Sequence, residues 1–211
     1  MNRCLFRLIF CHIRCLWVAV GEHTQRGRAP GFSRRARRVT SLVGLIASFG
    51  AHAQIVPDAA GPGVTVTPNG LPLVNINTPT AGGVSHNTYQ QFDVPTQGAI
   101  LNNARTITQT QLGGLVPGNP NLSGDAARII VNQVTSALPS NLAGYLEVAG
   151  PQAEVVLSNP NGITCNGCGF VNTSRGVLTT GVPVFGNGAL EAFRVTDGTL
   201  RVTGSGLNAG I

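Results

Sequence analysis

Ser158 to Gly181 reads SNPNGITCNGCGFVNTSRGVLTTG. It opens on a turn, Asn159-Pro160-Asn161-Gly162: the proline ring fixes φ at Pro160 and disfavours helix at Asn159, while Gly162 readily takes a positive φ. Beyond Ile163 come a close cysteine pair, Cys165 and Cys168, and a β-branched run. A rhythm then sets in: VLTTG (177–181), PVFG (183–186), AFRVTDG (192–198) and LRVTGSG (200–206), each a short strand ended by glycine. Strands this short, joined by turns too brief for crossover helices, predict successive rungs of a parallel β-solenoid that bury their inward residues on one another. A β-sandwich is the competing all-β reading.

Upstream, Gly118 to Gly124 holds a second turn of the same kind, Asn119-Pro120-Asn121-Leu122. Asn121 there tolerates φ > 0 and bonds back to the main chain. Residues 126–134 fit a helix capped by Ser123 or Asp125, but Ile129-Ile130-Val131 is β-branched, so a buried strand is preferred. Leu142 to Val148 and Ala153 to Leu157 read as two more strands, divided by Gly150-Pro151. In Gly83 to Val94, a turn and strand place Tyr89 and Phe92 over one end of the core. That segment also holds Ser85, His86 and Asp93, yet a triad is defined by geometry, and no nucleophile elbow accompanies them. Val64 to Thr67 and Val74 to Asn77 alternate like half-buried strands, the start of an N-terminal strand-rich cap.

Three readings compete for Cys165 and Cys168. Structural zinc takes four ligands, and from Gln54 onward only His86 joins the two cysteines as an ordinary nitrogen or sulfur ligand. A redox dithiol usually opens a helix, which the residues after Cys168 do not predict. A local disulfide or a free buried pair remains, the disulfide being favoured in an oxidising compartment. No metal or cofactor is called for.

The 211 residues carry a formal net charge of +6, but the positive charge is concentrated at the front. From Gln54 onward five arginines face seven carboxylates, so the body has no basic footprint for nucleic acid. Arg34, Arg35, Arg37 and Arg38 precede an apolar run, Val39 to Gly50, and then Ala51-His52-Ala53. This is the layout of a secretory signal cut after Ala53 to leave Gln54 as the new N-terminus. The run is shorter than the roughly 20 residues a spanning helix needs.

The leader begins with MNRCLFRLIFCHIRCLWVAVGE, in which Phe6-Arg7 and Trp17 to Glu22 resemble the extension on signal peptides of very large Gram-negative surface proteins. Gly21 stands where serine is usual, and the cysteines are atypical. The body resembles the N-terminal secretion domain of two-partner secretion exoproteins, the filamentous haemagglutinin adhesins and contact-dependent growth inhibition toxins. Asn119, Pro120, Asn121 and Leu122 carry the first family motif, and Asn159, Pro160, Asn161, Gly162 and Ile163 the second.

The resemblance implies a right-handed parallel β-helix with an N-terminal cap and extra-helical hairpin strands. It divides the chain into an extended signal peptide, 1–53 (extension about 1–30, Sec-type signal about 31–53), and a secretion domain, 54–211. Its implied partners are the Sec export machinery, through the leader, and the periplasmic domains of an outer-membrane β-barrel transporter. The protein is then expected to be exported through the periplasm to the cell surface or beyond, without enzymatic activity. The two motif turns either touch the transporter or shape the fold.

Two other readings are weighed. A secreted β-helix enzyme acting on polysaccharide would set carboxylates together, whereas Glu147, Glu154 and Asp197 are scattered along the sequence. The chain stops in mid-pattern at Ile211, which reads as the front of a longer exoprotein or as a truncated gene remnant. Contact with host or neighbouring cells would then fall to a missing C-terminal region.

Overall fold

The computed structural model describes residues 6–11, 16–21 and 54–208. The chain divides into two units, Met1–Ala47 and Ser48–Ile211. In the first, β1 (Phe6–Cys11) pairs antiparallel with β2 (Leu16–Gly21), Phe6 opposite Gly21. The signal's apolar run and the cleavage residues Ala51 and Ala53 lie outside the described residues.

The second unit is a parallel β-helix, with no helix among the described residues. Its cap is antiparallel: β3 (Ile55–Pro57) lies beside β6 (Val84–Phe92), and β4 (Gly63–Val66) beside β5 (Pro72–Asn75). The first coil is β5 and β6. The second begins with β7 (Ala99–Asn102), makes an excursion through the hairpin β8 (Thr108–Thr110) and β9 (Gly114–Val116), and returns as β10 (Ile129–Val134). The third is β11 (Ser140–Leu142), β12 (Tyr145–Ala149) and β13 (Ala153–Ser158). The fourth is β14 (Ile163–Val171) and β15 (Thr173–Thr179). A second excursion, β16 (Val182–Gly186) and β17 (Ala189–Arg194), precedes β18 (Leu200–Asn208), which lies parallel to β14.

Parallel pairing stacks equivalent residues. In the first sheet β6, β10, β13 and β15 align so that His86, Val131, Val156 and Val177 form one column and Asn87, Asn132, Leu157 and Leu178 the next. In the second, Val74, Leu101 and Val148 stack along β5, β7 and β12. Both inner faces meet in one core with Ile130, Val155 and Leu157, closed at the first coil by Tyr89 and Phe92, whose rings meet edge-on at 4.8 Å. Burial of each such side chain stabilises by about 1.5–3 kcal/mol, so loss of one coil exposes its neighbour's face.

The β-branched run at Ile129 does form a strand, and the helix alternative is excluded. The expectation that PVFG and AFRVTDG are rungs is corrected: they form the antiparallel hairpin β16–β17 outside the helix, whereas β15 and β18 are rung strands. The reason lies in Asn187-Gly188, whose φ values of 50° and 76° make the mirror-image turn that matches the twist of an antiparallel pair.

Each hairpin covers an outward apolar patch. Val116 and Leu112 of the β8–β9 excursion pack over Leu73 and Ile100 of the second sheet. Leu190 and Phe193 of β17 pack over the Val84, Val131 and Val156 cluster of the first.

Candidate functional site

The two asparagine turns are internal ties between coils. Asn119 is 3% exposed; its Nδ2 donates to the carbonyls of Ile76 (2.9 Å) and Asn102 (2.8 Å), joining the first coil to the second. Its Oδ1 accepts the Asn121 N–H at 2.9 Å, and its carbonyl accepts the Leu122 N–H at 3.1 Å, which closes the turn. Asn121 is half-buried and donates from Nδ2 to the carbonyls of Asn75 and Ile76, both at 3.1 Å. Asn121 does not use the positive φ it tolerates: among the described non-glycine residues only Asn172 and Asn187 adopt one. With Asn119 closing the turn through its own carbonyl and carboxamide, position 121 keeps an ordinary backbone. Leu122 is buried and Pro120 exposed.

The second turn repeats this design between the third and fourth coils. Asn159 is 0% exposed, and its Nδ2 donates to the Leu138 carbonyl and to Ser140 Oγ, both at 2.9 Å. Its Oδ1 accepts the Asn161 N–H at 2.9 Å, and its carbonyl accepts the Gly162 N–H at 3.1 Å. Gly162 has φ 110°, and a Cβ there would lie 3.1 Å from the Thr199 carbonyl oxygen. Ile163 is buried, Pro160 half-buried and Asn161 exposed, the last donating from Nδ2 to the Ser136 carbonyl at 2.7 Å. Each turn therefore serves a different pair of coils, and what remains on the surface is chiefly Pro120 and Asn161.

Cys165 and Cys168 form a disulfide inside β14, and both are nearly fully buried in the main core. Gly167, with φ 77°, bulges the strand between them where the pairing with β18 shifts register. Gln54 is exposed at the start of the described body, its carbonyl accepting the Asp93 N–H at 3.1 Å.

Several ties had no motif to announce them. Glu147, 3% exposed, stands in line with Leu73 and Ile100 on the outer face and reaches into the β8–β9 turn. Its Oε1 accepts the Gln111 N–H at 2.7 Å and its Oε2 the Leu112 N–H at 2.8 Å. Asn103 donates to the carbonyls of Ala127 and Pro151, both at 2.9 Å, and Asn172 to those of Val148 (2.7 Å) and Gly150 (2.9 Å). A charged residue inside the apolar run Tyr145 to Ala149 was the one sequence signal for Glu147.

The Ser85, His86 and Asp93 trio is dispersed in its bonding. Ser85 is fully buried and donates to the Asn77 carbonyl (2.7 Å), His86 Nε2 meets Gln133 Oε1 (2.8 Å), and Asp93 accepts the Asn141 N–H (2.7 Å).

Residues 53–210 match the TPS secretion domain family, and residues 1–52 match the Extended Signal Peptide of Type V secretion system. The chain is 43% identical to Toxin CdiA of Yersinia pestis, over 99% of this chain and 7% of that protein. It is 47% identical to Hemolysin of Proteus mirabilis, over 83% of this chain and 12% of that protein. The chain thus spans only a small part of these relatives' lengths. The crystal structure of the filamentous hemagglutinin secretion domain superposes with a TM-score of 0.69 at 41% identity, covering 74% of this chain and 51% of the other. With a β-helix of asparagine-tied coils and a family match over nearly all of its body, the chain belongs to the TPS secretion domain family.

Proposed function

We propose that the leader takes the chain through the Sec machinery, that cleavage after Ala53 frees Gln54, and that the periplasmic domains of an outer-membrane β-barrel transporter then bind the body before it closes into coils. The observation that carries this reading is the burial of Asn119 and Asn159, at 3% and 0% exposure, with their amides spent on neighbouring coils. A transporter that reads Asn119 and Asn159 meets their side chains only in a chain whose coils are still apart, when unpaired strand edges are also free to augment a partner's sheet. Outside the cell, each coil would bury the face of the one before it and hold the chain there. The folded domain then stands at the cell surface or in the medium.

The domain is read as non-catalytic. The groups that hydrolysis would draw on are engaged elsewhere: Glu147 by two main-chain N–H groups, Ser85 by the Asn77 carbonyl and His86 by Gln133. Toxin or adhesin activity of the whole exoprotein belongs, on this reading, to regions outside the domain.

Co-expression with a two-partner transporter and with an empty vector tests the proposal. The domain should reach the medium only with the transporter, its first residue being Gln54. Equal release without the transporter would overturn it.

A further inference from the structure

We propose that the β16–β17 hairpin is a strap that locks the first coil of the helix to the fourth. Its root follows β15, where Ser158 Oγ donates to the Gly181 carbonyl at 2.7 Å. Its tip lies against the segment that joins β5 to β6 within the first coil: Thr80 Oγ donates to the Gly188 carbonyl at 2.6 Å, across 108 residues of sequence. Between the two ends, Leu190 and Phe193 pack on the cluster of Val84, Val131 and Val156, joined by Val177 from β15. Phe185 meets the ring of His86 on β6 with centroids 4.6 Å apart. The strap therefore packs on an outer-face cluster to which β6, β10, β13 and β15 each contribute a residue.

Coil-on-coil pairing couples only neighbours, so a helix without such a strap frays from its ends one coil at a time. Packing on a cluster that all four coils build together changes this. The strap has its full set of partners only after the four are stacked, and once it is seated the first coil cannot peel away without losing the tip. In the export reading this makes completion of the fourth coil the step that secures the first three. The coupling is a property of the folded chain and holds whether or not that reading is correct.

Gly82 offers a way to lift the tip alone. A Cβ there would lie 2.8 Å from the Gly188 carbonyl oxygen, and its φ is not in the left-handed region, so alanine leaves the local backbone unstrained. Thr80→Val is the milder companion, removing the hydroxyl donor while keeping the shape. Hydrogen exchange of the purified full chain, read by mass spectrometry on peptides covering β17, β6 and β13, gives the test.

In Gly82→Ala, amides of β17 and β6 should exchange faster together, by roughly tenfold, with β13 unchanged. Thr80→Val should move the same two segments in the same direction, and it decides the matter if Gly82→Ala does not fold. Faster exchange in β17 with β6 unaffected would make the hairpin a passive flap and overturn the proposal. So would unchanged exchange in both segments. Export is assayed separately, so failure of the strap and failure of the secretion reading are distinguishable.

Discussion

Replacing Asn159 with alanine removes three hydrogen bonds of 2.9 Å at a site with no solvent exposure, two donated to Leu138 and Ser140 and one accepted from the Asn161 N–H, together with a long one of 3.5 Å from Asn161 Nδ2. At about 1 kcal/mol net for each, the loss is about 3 kcal/mol. Against a total of about 5–15 kcal/mol for a domain, that raises the unfolded fraction by roughly a hundredfold. Asn161→Ala is the internal comparison. It deletes the bond to the Ser136 carbonyl from an exposed position but leaves the Asn161 main-chain N–H on Asn159, so about 1 kcal/mol or less is expected. The single tryptophan, Trp17, lies in the leader, so urea unfolding of the body is best followed by far-UV circular dichroism. The Asn159→Ala midpoint should fall well below that of Asn161→Ala at an unchanged denaturant slope. Equal midpoints for the two variants and the parent would refute the assignment of Asn159 as a tie between coils.

Glu147→Gln should cost about 2 kcal/mol, because one of two acceptor oxygens becomes an NH2 group facing a main-chain N–H; faster hydrogen exchange at Gln111 and Leu112 checks it. Opening the Cys165–Cys168 disulfide by serine substitution should cost about 2 kcal/mol, since a sequence separation of 3 closes only a small loop. Reductant added to the unfolded parent before refolding should reproduce that shift in the denaturation midpoint. At Asp58, burial pushes the carboxyl up, but hydrogen bonds from Thr88, Ala60 and Thr135, with His86 nearby, together hold it below the usual aspartate value. A depressed folded pKa stabilises above the unfolded value of about 3.9 and loses that contribution as pH falls through the folded one. Asp58→Asn should therefore flatten the acid limb of stability against pH below about pH 4, read from denaturation midpoints of variant and parent across that range.

The β-helix was legible from the glycine-ended segments at Val177 to Gly181 and Leu200 to Gly206, which are rung strands, and from the resemblance carried by the two asparagine turns. The excursion β16–β17 was misread because its glycines looked like rung ends. The signal that separates the cases was present: Asn187-Gly188, two residues long between strand-like segments, calls for a hairpin. The motif turns were legible as turns but not as ties. Their partners, Ile76 and Asn102 for Asn119, Leu138 and Ser140 for Asn159, are distant in sequence or of unremarked type, and only the coil register brings them within reach. For the same reason Glu147 read as one scattered carboxylate, although the register places it under the one turn whose N–H groups it satisfies.

The claim that the motifs are read before the coils close is tested most directly by binding to the transporter's purified periplasmic domains. The chain is presented either folded or diluted from denaturant at the moment of mixing, with Asn159→Ala in parallel. The account predicts capture of the freshly diluted parent, weak or no capture of the folded parent, and loss of capture once folding is complete. Equal affinity of the folded parent, with Asn119 and Asn159 still buried, would contradict it.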